Sequence, residues 1–339
     1  MAYQNVGTPR FYVSDVLFSL KNGISYDESD EYTYLPNTLF NIDPTNQHII
    51  GGNYQRFTSL PVTNKLNYIA FLGHNFASTD NKIYLRIHEN VVSGDNGNIN
   101  HPVESDGKPE HDGFSIHLFN EEAYDSSLNV NLQFNPEGEN EYEESRLGSV
   151  MIGNYYDLPH SPELSLTMTN EMDGVSRLRT KGGSDLVNYR YTKSPLWGDL
   201  SPWELHKPAN PLQDQRLSRV GRRSWDLSFN YLSDSDLNPV SEGTSKKIMD
   251  ASAYDNVSGN PLWYSGDGTS HNILQSDDFY SQVIHRTNGG ALPFIFQPDS
   301  NNNNNPDQFA ICKLDMNKFE YNQVANGVYN VKLKIREVW

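Results

Sequence analysis

The residues best suited to metal binding are histidines and carboxylates between positions 101 and 117. Imidazole and carboxylate groups are common ligands of zinc and other divalent metals. His111 lies in a loop before a strand, and His117 is expected on the solvated face of that strand. Solvated loop side chains explain the same pattern, so no metal is predicted. The candidate ligands are His101, Glu110, His111, Asp112 and His117.

Two short segments, Asp95–Asn98 and Asp234–Asp236, offer oxygen ligands for calcium. Neither has the ligand spacing of a calcium-binding loop. Turns rich in Asp and Asn explain both segments as well. Calcium is therefore an open alternative, and the chain is expected to need no cofactor.

No familiar catalytic constellation occurs in the sequence. Nucleophile-elbow, P-loop, His-Glu-x-x-His and paired Cys-x-x-Cys motifs are missing. Cys312 is the only cysteine and follows the apolar run Phe309–Ile311, which predicts a buried core residue. With 43 Asp and Glu residues, a carboxylate pair for glycoside hydrolysis stays open as an alternative. We expect a protein that is not an enzyme.

A candidate glycan rim follows the apolar run Tyr68–Leu72. His74 and Asn75 come directly after Gly73 and carry the polar groups that recognise sugar hydroxyls. The alternative is a tight turn, in which Gly73 and Asn75 adopt special backbone angles and His74 makes a local hydrogen bond.

The densest basic stretch and two loop tryptophans form the candidate interaction surface. On an acidic chain, such arginines could meet an acidic patch of a neighbouring subunit, such as Glu137–Glu144; solvated loop arginines are the alternative. Loop tryptophans indicate either a lid packed over a sheet or anchors of an interface. The residues are Arg216, Arg219, Arg222, Arg223, Trp197 and Trp203.

Alternation of apolar and polar residues predicts the elements that position these groups. A period of two residues is typical of antiparallel strands with one buried face. The inward sets are Ile83/Leu85/Ile87, Phe114/Ile116/Leu118, Leu128/Val130/Leu132/Phe134, Leu164/Leu166/Met168, Trp225/Leu227/Phe229/Tyr231 and Val331/Leu333/Ile335.

Helices are expected to be few and short. The best covers about 277–286, where Ser276 can cap the N-terminus and Phe279, Val283 and Ile284 have helical spacing. A weaker helix is predicted near 245–253. Long loops rich in Gly, Asn and Pro between short strands favour an all-β fold of antiparallel β-sandwich or jelly-roll modules.

Length and composition suggest more than one domain. A chain of 339 residues fits two domains. The acidic segment 137–144 offers little to bury, so we predict a jelly-roll-like module over 50–145. The main β-sandwich domain is predicted over 146–339, with residues 1–49 as an N-terminal arm that completes part of it.

Charge is negative and uneven along the chain. The net charge is −17; residues 1–150 hold eight basic and 21 acidic side chains, which leaves −13 there and −4 in the rest. An acidic surface repels phosphates, so nucleic acid is not an expected partner. No apolar run approaches the ~20 residues of a membrane span, and no signal peptide is expected, so no membrane insertion is predicted.

Several stretches resemble virion structural proteins of marine tailed bacteriophages. The 68–76 stretch is also similar to galactose-binding-like jelly-roll modules of phage adhesion proteins, and 222–229 resembles a strand of distal-tail and fibre-adaptor sandwiches. The resemblance implies no catalytic residue. The stretches are Met1–Tyr12, Tyr68–Phe76, Gly153–Pro162, Arg222–Phe229, Leu292–Asp299 and Phe309–Asp315.

The expected function is that of a tail, fibre or adaptor component of a virion, made in the host cytoplasm and acting through self-association and contacts with other virion proteins. A capsid decoration or cement protein is one alternative. A carbohydrate-binding, receptor-recognition module is another.

Overall fold

The computed structural model describes twelve stretches of the chain. The predicted helix near 245–253, the segment Asp95–Asn98, Arg216 and most of the acidic patch lie outside them. The described stretches are residues 6–23, 37–50, 66–79, 81–88, 99–102, 109–118, 129–136, 144–190, 192–207, 219–239, 273–274 and 276–339.

These stretches form seventeen strands and only short helices. The strands are β1 (Arg10–Ser14), β2 (His48–Ile50), β3 (Tyr68–His74), β4 (Asn81–His88), β5 (Ile99–Pro102), β6 (Gly113–Leu118), β7 (Asn129–Pro136), β8 (Ser145–Leu147), β9 (Ser149–Asp157), β10 (Thr167–Glu171), β11 (Val175–Arg179), β12 (Asp185–Tyr189), β13 (Arg222–Ser233), β14 (Phe294–Gln297), β15 (Ala310–Leu314), β16 (Tyr321–Ala325) and β17 (Val328–Glu337). The helices are α1 (Asp15–Lys21), α2 (Asp234–Leu237), a π-helix (Tyr280–His285) and 3₁₀ turns at Asn37–Phe40 and Pro306–Gln308.

All strand pairings within these stretches are antiparallel, which confirms the all-β, sandwich-like prediction. Ten strands share one sheet, in the order β10-β13-β17-β15-β14-β1-β9-β3-β6, with β16 added beside β17. Three smaller sheets pair β11 with β12, β2 with β8, and β4 with both β5 and β7.

The middle of the large sheet is buried on both faces. In β14, Phe294 and Phe296 pack on one side while Ile295 packs on the other. Phe11 and Tyr12 of the neighbouring β1 divide in the same way. A strand that is buried on both faces has a continuous run of apolar residues in its sequence, and Phe294–Phe296 is such a run.

Along β13 the predicted alternation is correct as far as Phe229 and then fails. Trp225, Leu227 and Phe229 are buried, but Tyr231 is 77% exposed and has a φ of 61°. The register with β17 shifts between Phe229 and Leu232, and Leu232 takes the inward position. A β-bulge inserts an extra residue and therefore reverses the faces.

Two further alternation predictions need correction. Leu164 is fully exposed because β10 begins only at Thr167, so the predicted strand at 164–168 is wrong in position. Leu118 is exposed at the end of β6, although Phe114 and Ile116 pack against the core as expected. The inward set Val331, Leu333 and Ile335 is confirmed.

The predicted helix at 277–286 is present but is a π-helix. Its apolar residues Phe279, Val283 and Ile284 are buried, as their spacing predicted. Ser276 does not cap it; the Oδ1 of Asp278 accepts from the backbone N–H of Ser281 at 2.9 Å instead. Arg286 pairs with Asp15 of α1 in the interior, so this ion pair connects two helices that lie far apart in the sequence.

The large sheet crosses the predicted domain boundary. β3 and β6 belong to the predicted 50–145 module, yet β3 is hydrogen-bonded to β9 over Tyr68–Leu72. β4, β5 and β7, from the same predicted module, form a separate sheet. The division at 145 stays a prediction, and any such division has to accommodate a sheet shared by both parts.

Candidate functional site

His74 ends β3 in a buried position. Its side chain is 2% exposed and stacks on the Phe76 ring, with 4.6 Å between ring centroids. The Nε2 atom lies 3.0 Å from the hydroxyl of Ser115 on β6, and Nδ1 accepts from the backbone N–H of Phe76 at 3.4 Å. Burial lowers the pKa of His74 to about 3, so the imidazole is neutral.

These bonds decide what the His74–Ser115 pair can do. Because Nδ1 accepts a hydrogen bond, the one proton of the neutral ring is on Nε2, which donates to the Ser115 hydroxyl. His74 therefore cannot take a proton from Ser115, as a base in nucleophilic catalysis must. The pair joins two strands, and the local-bond interpretation of His74 fits better than an exposed glycan rim.

Asn75 makes the turn that follows. Its Oδ1 accepts from the backbone N–H of Arg146 at 2.6 Å, and its Nδ2 donates to the carbonyl of Glu144 at 2.9 Å. Gly73, with a φ of 67°, turns the chain, and a Cβ there would lie 2.9 Å from the carbonyl oxygen of Pro44. The predicted special backbone at this turn is thus present at Gly73.

A polar cavity of about 270 Å³ opens beside this turn. It combines amides, carboxylates, a cation and an indole, which is the mixture that sugar-binding pockets use. The structure thus brings the two predicted rim residues together with groups that lie far away in the sequence. The lining residues are Gln47, His74, Asn75, Ser78, Asp112, Arg146, Trp197, Asp199, Leu200 and His206.

The candidate metal ligands do not converge in the described part of the chain, where no group of three or more His, Cys, Asp or Glu side chains is placed to hold an ion. Asp112 is buried and accepts from the backbone N–H of Ser78 at 3.0 Å and from its hydroxyl. His101 belongs to β5 and His117 to β6, which lie in different sheets.

In the calcium candidate Asp234–Asp236, the carboxylate of Asp236 accepts from the N–H and hydroxyl of Ser233. This capping box starts α2. Asp236 therefore has a structural role in a turn, which is the alternative to calcium binding that the sequence analysis gave for this segment.

The arginine stretch separates into inner and outer members. Arg223 is buried and bonded to the Glu337 carboxylate at 2.8 Å and to the carbonyls of Asp307 and Phe309 at 2.6 and 2.7 Å. Burial alone would lower the pKa of Arg223, but the Glu337 charge and hydrogen bonds raise it. The interaction-surface prediction does not hold for Arg223, because these groups occupy its guanidinium inside the chain.

Arg219 and Arg222 lie further out but are also engaged. Arg219 donates to the carbonyl of Asp307 at 2.8 Å. Arg222 donates to Asp173 at 3.1 Å, and its guanidinium carbon lies 4.8 Å from the centre of the Trp339 ring. Both therefore face groups of their own chain.

The two loop tryptophans are buried, which corrects their assignment to an exposed surface. Trp197 and Trp203 are edge-to-face at 5.0 Å, and Trp203 also contacts the rings of Phe114 and Phe309. They cover one face of the large sheet, as the packed-lid alternative stated. Both rings also line a groove of about 490 Å³ together with Trp339.

Cys312 is fully buried on β15, as predicted. Desolvation raises the pKa of its thiol well above the ordinary value, so the reactive thiolate is disfavoured.

The exposed surface that the sequence patterns did not single out is a hairpin, here called the arm: β11, the turn 180–184 and β12. β11 and β12 pair only with each other among the described strands. Its apolar side chains Leu178, Leu186, Val187 and Tyr189 are 64%, 56%, 56% and 72% exposed. Gly182-Gly183 between two short alternating runs was the available hairpin signal.

No family model, curated protein or solved structure matches this chain. Within the described residues, no helix is both long and apolar enough to cross a bilayer.

Proposed function

We propose that this chain is a virion structural protein, a tail, fibre or adaptor component that acts by protein–protein assembly. The observation that carries the assembly role is the arm, whose four large apolar side chains face solvent. Clustered exposed apolar residues mark interaction sites more often than isolated ones do. A two-stranded hairpin is also marginally stable alone in water, so contact with another chain would stabilise it.

The virion assignment rests on the resemblance of stretches such as Gly153–Pro162 and Arg222–Phe229 to phage structural proteins. Both stretches belong to the large sheet or its margins, where β9 and β13 lie. A structural protein of this kind needs stable sheets and contact surfaces rather than a catalytic site.

Peptide mass spectrometry of purified virions tests this proposal. The chain is expected at a constant ratio to the other structural proteins of the particle. Its absence from particles that carry their known tail and capsid proteins would overturn the proposal. Cryo-EM then separates the tail position from the capsid alternative, because copies spread over the capsid lattice would indicate a decoration protein.

Glycan recognition is a second candidate, favoured by the polar cavity beside Asn75. Its volume of about 270 Å³ is of the order needed for one sugar residue, and Arg146, Asp199 and His206 line it with Trp197. A glycan array probed with the full chain addresses this, since β3 and β6 need β9 to complete their sheet. A blank array with correctly folded protein would reject it.

A further inference from the structure

Four Asn-Gly pairs occur in the sequence, and such a pair can react within its own backbone. The glycine nitrogen loses its proton and attacks the side-chain amide carbon of the asparagine. The side-chain nitrogen then leaves as ammonia, and a succinimide ring closes. Water opens this ring at either carbonyl, which gives aspartate or isoaspartate. Glycine permits the attack best because no side chain stands beside the attacking nitrogen. The pairs begin at Asn22, Asn96, Asn288 and Asn326.

The first pair, Asn22-Gly23, ends a helix and is held by hydrogen bonds. Asn22 is the C-cap of α1, and its Nδ2 donates to the carbonyl of Phe18 at 2.8 Å. The Gly23 N–H donates to the carbonyl of Leu20 at 3.3 Å. Both reacting groups are engaged, so ring closure requires that the end of the helix open first.

Asn288-Gly289 ends the π-helix and is held in a similar way. The Gly289 N–H donates to the carbonyl of Ile284 at 2.8 Å, so the attacking nitrogen is engaged. The Oδ1 of Asn288 accepts from the Nδ2 of Asn22 at 3.4 Å. A reaction that has to break these bonds first is slowed by their free energy. The pair at Asn96 lies outside the described residues and does not enter the comparison.

Asn326 lies at the exposed turn between β16 and β17, and its reacting groups are free. Among the described residues, no group bonds to its side chain or to the Gly327 N–H. The Gly327 carbonyl accepts from the N–H of Asp234 at 3.1 Å, which holds the turn but not the nitrogen. A Cβ at Gly327 would meet no heavy atom within 4 Å, and the same is true at Gly23 and Gly289. Hydrogen bonding therefore distinguishes the three pairs, and space does not.

We infer that Asn326 is a modification site: in the folded chain it deamidates spontaneously, and faster than Asn22 or Asn288. The reaction requires no enzyme, and water is its only co-reactant. A neutral amide becomes a carboxylate, which adds a negative charge near α2, where Asp234 and Asp236 already lie. This inference goes beyond the proposed assembly function and does not depend on it.

Isoaspartate at this position should loosen β16. Its main-chain link is longer by one methylene group, in a turn where Ala325 is paired with Val328. Because the turn fixes the register of a hairpin, the ladder from Tyr321 to Ala325 has to shift or separate. On that side of β17, β16 is the partner of Val328–Val331. Its release would leave these backbone groups as a new sheet edge.

Peptide mapping by mass spectrometry tests the inference on the full chain. Deamidation of each pair is followed at neutral and alkaline pH, in the folded protein and in the urea-unfolded chain. The ratio of the folded to the unfolded rate removes the effect of neighbouring sequence. This ratio should be at least about tenfold higher at Asn326 than at Asn22 or Asn288, since two hydrogen bonds hold each helix end. The rates should increase with pH, because the deprotonated nitrogen is the nucleophile.

Two variants serve as a matched pair. Asn326→Gln should block the reaction at the turn, because glutamine has to close a larger and less favourable ring. Asn22→Gln removes the asparagine at a helix end and should leave isoaspartate formation at Asn326 unchanged. Circular dichroism verifies that both variants are folded. Equal ratios at the three described pairs, or a higher ratio at Asn22 or Asn288, would overturn the inference.

Hydrogen exchange tests the consequence for the hairpin. Exchange in residues 321–331 should be faster in aged wild-type protein than in fresh protein, and it should stay unchanged in aged Asn326→Gln. Fresh Asn326→Asp carries the new charge on a normal backbone and should exchange like fresh wild type. If it exchanges as fast as the aged protein, the extra methylene is not the cause. Unchanged exchange in protein that contains isoaspartate at 326 would contradict the loosening of β16.

Discussion

Two hairpins in the described part of the chain differ in how they are anchored: one is attached to the large sheet, and the other, the arm, is not. β16 is exposed along most of its length, yet its partner β17 also pairs with β13 and β15 inside the large sheet. Tyr321 and Tyr329 of this hairpin pack against the main core. Among the described residues, the arm has no third strand, and none of its side chains belongs to a hydrophobic core cluster. A strand exposed to solvent is thus stable when its partner strand has a buried face. Under the proposed assembly function, another chain would provide that buried face for the arm.

Removal of the carboxylate of Glu337 should have the largest effect on the anchored side. Glu337→Ala leaves the buried guanidinium of Arg223 without its ion pair, which costs about 3–5 kcal/mol of unfolding free energy. In the arm, Asp185→Ala breaks the exposed pair with Arg179 and should cost at most about 0.5 kcal/mol. Urea denaturation measures the loss of unfolding free energy in both variants. Losses of similar size would contradict the claim that only one of the two hairpins is anchored.

A matched pair of leucines probes the same difference through apolar burial. Leu333→Ala in β17 opens a cavity in the core and should destabilise the chain by about 3 kcal/mol. Leu178→Ala in the arm should change the unfolding free energy by less than about 0.5 kcal/mol while weakening assembly. A comparable loss of stability at Leu178 would mean that the arm is already covered by its own chain.

Acid should weaken the sheet through His74, whereas the arm has no histidine. The pKa of His74 falls from 6.5 to about 3 on folding, so the folded state disfavours protonation. The resulting stability is complete above pH 6.5 and is lost as the pH falls toward 3. Between pH 7 and 4.5 the loss should be between about 2 and 3 kcal/mol.

The control for this loss is His74→Gln, which cannot titrate in that range. Urea midpoints measured across the pH series should vary less in this variant than in the wild type. Identical pH profiles would show that other groups account for the acid sensitivity.

The smallest predicted effect compares the two hairpin turns. Gly327 and Gly183 have φ angles of 66° and 86°, and neither would meet a neighbour through an added Cβ. Alanine costs about 1 kcal/mol at such angles. Gly327→Ala should lower the global unfolding free energy by that amount. Gly183→Ala should instead increase hydrogen exchange only within the arm, and a global loss there would contradict its independence.

The sequence correctly predicted those strands in which apolar and polar residues alternate without interruption. Trp225, Leu227 and Phe229 are examples, because a period of two identifies a strand without knowledge of its partners. The bulge that exposes Tyr231 depends on register with β17, so no local pattern contains it. The π-helix was predicted in place, although its hydrogen-bond type follows from packing.

The candidate sites were less predictable, because burial of polar residues is a tertiary property. Arg223 lies in a basic stretch, which predicts a solvated side chain. In the structure it pairs in the interior with Glu337, which lies more than a hundred residues later in the sequence. The sequence around Trp197 and Trp203 fits a lid packed over a sheet and interface anchors equally well. Only their ring contacts in the structure identify them as a packed lid. The arm was missed because arginines interrupt its apolar alternation.

The position of β1 near the centre of the large sheet has a consequence for synthesis on the ribosome. β1 is made before both of its neighbours, β9 and β14, and Tyr12 bonds to Gln297, 285 residues later. At about 5–20 residues per second, β1 waits roughly 15–60 s for that strand. During this interval Phe11 and Tyr12 lack their final cover, so the nascent chain should depend on chaperones until β14 has been made.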